Sequence, residues 1–325
     1  MTLLLTREDV ISVLTMKDCI DFVEKAFLEL ARGTAVLPLR TGIFPEGGVS
    51  LYMPAYLKGM GALSCKVVTV YKDNPKRFGL PVTIGKVLLQ NPASGEVTCV
   101  MDGGYLTAVR TGAASGVATK YLARQDKGQV VGIFGAGVQA RMQLWAMTEV
   151  REIKKAYVFD ISEVAMDTFV AEMSEKLGIK VVKAETVEEA LDADILCLAT
   201  SSVSPLFDGS KVKAGTHING IGSHTPKARE LDTQIIVRAK LIGDSREACF
   251  SEAGDIMIPL AEGAIEESHF YAELGEVVNG DKFGRDNDLE ITLFKSNGLA
   301  IQDAATAKLV YDKAKAAGIG QEVAL

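Results

Sequence analysis

The residues best placed to do chemistry are Gly135, Ala136, Gly137, Val138, Gln139 and Ala140, which follow the apolar run Gln129-Val-Val-Gly-Ile-Phe134. Glycine-x-glycine-x-x-alanine between a strand and a helix is a spacing with a mechanical purpose. The first glycine allows a tight turn, the second lets a pyrophosphate approach the backbone, and the small last residue lets helix and strand pack closely. The helix start then offers unpaired N–H groups and a positive dipole end to an anion.

A second strand, Lys155-Ala-Tyr-Val-Phe159, ends in Asp160. A carboxylate there can accept both adenosine-ribose hydroxyls, or else cap a helix starting near Ser162. The first role selects NAD(H). A 2′-phosphate would face like charge, and Ile161-Ser162 brings no arginine to offset it, so NADP is possible but less favoured. Further on, Asp194-Ile-Leu-Cys-Leu-Ala199 runs into Thr200, Ser201 and Ser202, and Gly215-Thr-His-Ile-Asn219 runs into Gly220, Ile221 and Gly222. Ligands of open α/β sheets collect at the carboxyl ends of strands, so these small residues are expected to border the nicotinamide half of the dinucleotide.

Such loops need a frame. Strands expected at about 129–134, 155–160, 179–183, 194–199, 216–220 and 237–242, with helices between them, describe a doubly wound parallel sheet. A last strand, Glu290-Ile-Thr-Leu-Phe294, precedes Ser296-Asn-Gly298, which either closes over the nicotinamide or simply turns into a helix from about Leu299 to Ala317. Ahead of the parallel series the pattern differs. Thr6 with Asp9 forms a capping-box signature, and a helix from Met16 to Arg32 stops at Gly33. From Leu37 to Met101 come short β-rich runs, with Asn91-Pro-Ala-Ser-Gly95 as a hairpin connection, then a helix from about Thr107 to Leu122. The expectation is an α/β chain. Residues 118–302 form a Rossmann dinucleotide-binding domain, and 1–117 with 303–325 form an α+β substrate domain completed by the C-terminal helix.

Bulk properties narrow the function. A chain of 325 residues is long enough for two domains. Its net charge of -7 argues against a nucleic-acid surface, which needs a clustered basic field. Its five cysteines lack the close spacing of a zinc site or disulfide framework, so no metal is expected and the compartment is read as reducing. No run reaches the roughly 18 apolar residues needed to cross a bilayer, and the expected location is the cytoplasm, with no membrane partner.

Several segments together resemble the ornithine cyclodeaminase/μ-crystallin family: Arg110-Thr-Gly-Ala-Ala-Ser115 followed by Ala118-Thr-Lys-Tyr-Leu-Ala-Arg124, the glycine turn at 135–140, and Glu290-Ile-Thr-Leu-Phe294 leading into Gly298-Leu-Ala-Ile-Gln-Asp303. The likeness runs over essentially the whole chain. It implies a homodimer in which the first domain pairs subunits and supplies substrate groups while the second holds the dinucleotide. It also implies chemistry at a carbon–nitrogen bond beside a carboxylate, since cyclodeaminases, ketimine reductases and alanine dehydrogenases all belong to that family.

Carried over on this resemblance, Arg40, Lys66 and Arg110 are the cations around the substrate carboxylate. Arginine grips a carboxylate through two parallel hydrogen bonds, and lysine adds a compact charge. Thr83 matches another substrate position. Thr111, at the opening of its helix, serves either the cofactor or the cap. Two positions depart from the family pattern. Where cyclodeaminases resemble one another in an aspartate, this chain has His224, whose imidazole can donate a proton to a ring nitrogen. Lys295 stands where several relatives carry aspartate.

The resulting expectation is NADH-dependent reduction of a cyclic imino acid, foremost Δ1-pyrroline-2-carboxylate to L-proline. Lys66 and His224 are the catalytic candidates, and Arg40, Thr83 and Arg110 join Lys66 around the substrate. Thr111, Gly135, Ala136, Gly137, Val138, Gln139, Asp160, Thr200, Ser201, Ser202, Gly220, Gly222, Ser296 and Asn297 are the cofactor candidates. Ornithine cyclodeaminase and alanine dehydrogenase are enzyme alternatives, and a non-catalytic NAD(P)H-binding protein of the crystallin kind is an alternative of another class.

Overall fold

The computed structural model describes residues 1–324. In chain order the elements are β1 (Thr2–Leu5), α1 (Arg7–Val13), α2 (Met16–Ala31), β2 (Ala35–Val36), β3 (Thr41–Ile43), β4 (Val49–Leu57), β5 (Ala62–Val70), α3 (Asn74–Arg77), β6 (Thr83–Gln90), β7 (Val97–Asp102) and α4 (Gly103–Leu122). Next come β8 (Gln129–Phe134), α5 (Val138–Val150), β9 (Ile153–Phe159), α6 (Glu163–Leu177), β10 (Lys180–Lys183), α7 (Val187–Leu191), β11 (Ile195–Leu198), β12 (His217–Gly220), α8 (Thr233–Arg238) and β13 (Lys240–Gly243). The chain finishes with α9 (Arg246–Glu252), α10 (Gly254–Ala261), β14 (Phe270–Glu273), α11 (Leu274–Asn279), β15 (Thr292–Lys295), α12 (Ala300–Ala317) and β16 (Gln321–Val323).

Packing divides the chain into two units, Met1–Thr111 with Leu299–Leu325, and Gly112–Gly298. The boundaries read from sequence, 117/118 and 302/303, therefore shift. The first falls inside α4, and the second precedes α12, because Gln302 in the first turn of α12 bonds to Arg110 of the first unit. A helix running through a boundary leaves no composition change to mark it.

The first unit is a mixed sheet in the order β16-β1-β7-β6-β5-β4-β2, with β3 also paired to β4. β4 through β7 form an antiparallel meander, and the 91–95 connection closes the β6–β7 hairpin through the Gly95 N–H to the Asn91 carbonyl. Alternation buries Met53, Ala55 and Leu57 of β4, Val87 and Leu89 of β6, and Cys99 and Met101 of β7. α2 and α12 cover this sheet with their own buried rows, including Ile20, Val23 and Phe27 of α2 and Ile301, Ala305 and Val310 of α12. Lys66 of β5 is buried too. β1 and the edge strand β16 are absent from the sequence reading. Each is short, and β1 pairs only with β7 and β16, distant in sequence, so no local pattern announces it.

The second unit is an eight-stranded sheet in the order β10-β9-β8-β11-β12-β15-β13-β14, parallel at every pairing. This is the doubly wound Rossmann arrangement expected, with one further edge strand, β14. Strands continuously buried on both faces, such as Ile195-Leu-Cys-Leu198, explain why this half reads as apolar runs rather than alternation. Successive strands β9 and β10 lie to one side of β8 while β11 lies on the other, which opens a crevice at the carboxyl edge between β8 and β11.

Packing above β8 leaves no room at Gly132, where an added Cβ would stand 2.1 Å from the Ala190 carbonyl oxygen of α7. Gly132→Ala should therefore displace α7 and cost about 1–3 kcal/mol, typical of overpacking. Urea unfolding of the two proteins checks this.

Candidate active site

The crevice of the second unit encloses about 750 Å³ and is lined by Gly135–Gln139, Asp160, Ile161 and Thr200–Ser202, together with Val203 and Leu206. Gly135 has φ of 97°, and an added Cβ would sit 2.6 Å from the Ala199 carbonyl, so this turn requires glycine for both conformation and space. Gly137 precedes α5 without any side-chain cap, and nothing lies within 4 Å of where its Cβ would be. An uncapped helix start with open space before it is a cradle that a diphosphate fits. Ala140, one turn on, is fully buried and lets α5 pack on β8.

Asp160 ends β9 with its carboxylate on the crevice wall, one oxygen accepting from the Ala136 N–H at 2.8 Å and the other from the Ser162 N–H at 2.9 Å. The cap of α6 is Ser162 itself, whose hydroxyl accepts from the Ala165 N–H. Asp160 thus braces the glycine turn from the adjoining strand.

Beyond the crevice, the loops after β11, β12 and β15 are held by carboxylates that the sequence reading did not single out. Glu230 is fully buried and accepts from the Thr200 N–H, the Thr200 hydroxyl and the Gly222 N–H, each at 2.7 Å. Asp244 follows β13, and one of its oxygens accepts from the Ser296 hydroxyl and the N–H groups of Asn297 and Gly298. Ser296–Gly298 is therefore a pinned loop, and the Ser296 N–H also binds the Gly220 carbonyl. Lys295, unexplained by sequence, is fully buried 3.0 Å from Asp255, whose other oxygen receives the N–H groups of Glu230 and Leu231. His224 is exposed on the loop between Gly222 and Glu230, with Nδ1 2.8 Å from the Gly222 carbonyl oxygen. A carbonyl only accepts, so Nδ1 carries the hydrogen of this bond and Nε2 takes no part in it.

In the first unit, Lys66 and Arg110 meet over Asp303, at 2.7 Å from Lys66 Nζ and 2.9 Å from Arg110 Nε. Arg110 also donates to Gln302 at 2.6 Å. Burial pushes the Lys66 ammonium down to about 8, opposed by Asp303 and reinforced by the charges of Arg110 and Arg40. Register explains the position of Arg40. It lies one residue beyond the Thr41–Tyr52 pair, next to Met53, which is the cross-strand partner of Lys66. Thr83 is exposed at the start of β6, opposite Val70, and stands apart from this cluster on the same face of the sheet. Thr111 corrects the sequence reading. It lies inside α4 rather than at its opening, and its hydroxyl donates to the Thr107 carbonyl at 2.8 Å, so it is not a helix cap.

Comparison with known proteins follows the same lines. The family model described as ornithine cyclodeaminase/mu-crystallin matches residues 1–318. A Δ1-pyrroline-2-carboxylate reductase of Bacillus cereus is 37% identical over 315 residues, covering 96% of both chains. The Δ1-pyrroline-2-carboxylate reductase of Thermococcus litoralis, solved in complex with NADH and L-proline, is 51% identical with a TM-score of 0.95, covering 99% of this chain and 100% of the other. An archaeal alanine dehydrogenase dimer with bound NAD is 38% identical with a TM-score of 0.94, covering 100% and 99%.

Asp303 has a thermodynamic signature of its own. Asp303→Asn removes the counter-charge from two buried cations and should destabilise the protein by about 3–5 kcal/mol, as when one partner of a buried pair is lost. Denaturant unfolding at neutral pH measures the loss.

Proposed function

This chain belongs to the ornithine cyclodeaminase/mu-crystallin family, and from that premise we propose that it reduces Δ1-pyrroline-2-carboxylate to L-proline with NADH. The observation that carries the reading is the charge balance at Asp303. Two buried cations share one carboxylate, so the cluster keeps a surplus positive charge that a substrate carboxylate neutralises. Similarity to a reductase solved with NADH and L-proline supports the choice of imino acid.

The chain is an NAD(H)-dependent oxidoreductase acting on a carbon–nitrogen bond. NADH, when bound, supplies the hydride that reduces the imine carbon; the balance is imine plus NADH plus one proton, giving the ring amine and NAD. Asp160 accepts the adenosine-ribose hydroxyls, which selects NADH over NADPH. Arg110, Lys66 and Arg40 hold the substrate carboxylate. As electron density moves onto the ring nitrogen, Nε2 of His224, or a water it orients, delivers the proton. We place the enzyme in the cytoplasm, a reading supported by its five unpaired cysteines. We also propose a homodimer formed through the first unit, where Leu39, Phe44, Phe78 and Leu80 are exposed apolar side chains.

NADH absorbance followed with Δ1-pyrroline-2-carboxylate, beside pyruvate with ammonia, and ammonia release from ornithine with NAD, tests the proposal directly. Rapid turnover of the imine alone is expected. Faster turnover of pyruvate with ammonia would transfer the assignment to alanine dehydrogenase, and ammonia from ornithine to a cyclodeaminase. Arg110→Ala should lower kcat/KM for the imine about a hundredfold, the equivalent of two charge-assisted hydrogen bonds. An unchanged value would remove Arg110 from the site.

Lys66 gives the pH dependence its sign. The ammonium form binds the carboxylate and is lost as pH rises through about 8, so kcat/KM should fall on the alkaline side of that value. A flat profile between pH 7 and about 9 would show that the charge of Lys66 is not used.

A further inference from the structure

We propose that Glu230 is a positioning residue that locks the loops after β11 and β12 into a single wall of the dinucleotide crevice, so that cofactor affinity and the placement of His224 depend on one buried carboxylate. Its two oxygens divide the work. Oε1 takes both the N–H and the hydroxyl of Thr200, and Oε2 takes the N–H of Gly222. The Thr200 hydroxyl in turn accepts from the Ser202 N–H at 3.1 Å, and the Glu230 carbonyl receives the Leu206 N–H at 2.8 Å. Thr200, Ser202 and Leu206 all line the crevice. The strands beneath are already joined by their own parallel ladder, so what this carboxylate adds is the course of the loops.

Two features of the chain show that an acid is required. Every atom facing the side chain donates, whereas an amide would turn its own N–H toward one of the loops and leave a buried donor opposed by a donor. Gly222 leaves the space, because a Cβ there would stand 2.3 Å from Oε1. One cation partly offsets the charge. Burial raises the Glu230 pKa, the Lys295 ammonium opposes that rise, and Asp255, ion-paired to Lys295, fixes the Glu230 backbone.

The part of this inference that concerns His224 rests on the proposed reaction; the part that concerns the crevice does not. NADH binding to Glu230→Gln and Gly222→Ala, followed by nicotinamide fluorescence without substrate and alongside apo-protein melting, separates the two. Each variant should bind NADH at least about tenfold more weakly, since one charge-assisted bond is lost, while the double variant is no weaker than the worse single one. In turnover, Glu230→Gln should raise KM for NADH and lower kcat together, whereas His224→Ala should lower kcat with NADH affinity unchanged. A folded Glu230→Gln protein that binds NADH within about twofold of the parent overturns the proposal, and if that variant does not fold, Gly222→Ala decides by the same criterion. Full activity in His224→Ala would instead overturn the proton-donor reading and leave the clamp standing.

Discussion

Asp303 supplies the negative charge that offsets the burial of two cations, the Lys66 ammonium and the Arg110 guanidinium. Moving either cation out of solvent costs several kcal/mol, and the short contacts to a single carboxylate offset that cost while leaving one positive charge unmatched. A site built this way attracts an anion before any shape is considered. It also explains the long excursion of the chain. Asp303 lies on α12, which follows the whole second unit, and α12 has to pack on α2 and the sheet for the carboxylate to arrive between two cations from β5 and α4.

The second unit solves the opposite problem. At the carboxyl edge of its parallel sheet the loops carry backbone N–H groups that the ladder does not pair, and Asp160, Glu230 and Asp244 accept them. Lys295 lies among the deeper carboxylates and pairs with Asp255. Carboxylates thus shape loops whose sequences are mostly small and polar and would hold no fixed course alone. The two units therefore face a common requirement, the compensation of buried charge, in one case by setting two cations against one carboxylate and in the other by spending negative charge on backbone donors.

Much of this was written in local patterns. The glycine turn and Asp160 are legible because their spacing follows from the geometry of a strand, a tight turn and a helix. The strands of the parallel sheet are legible because strands buried on both faces must be apolar runs. The cations Lys66 and Arg110 came from family resemblance, since a lysine or arginine in isolation carries no mark of what it faces. Asp303 stood in the resembling segment without a role, and Glu230, Asp244 and Asp255 had no local signal at all. Thr111 was misplaced because the true start of α4, at Gly103, follows β7 without a loop, and Asp102, whose carboxylate accepts from the Tyr105 N–H there, is also the last residue of the strand.

By itself the amino-acid sequence determined the Rossmann half and its glycine turn, because each depends on residues a few positions apart whose backbone geometry is fixed by local sterics. Tertiary structure decided which charges became partners. Lys66, Arg110 and Asp303 are far apart in the chain, as are Thr200, Gly222 and Glu230, and their burial and hydrogen bonding follow only from the folding that brings Lys66 and Arg110 within 3 Å of Asp303, and Thr200 and Gly222 within 3 Å of Glu230.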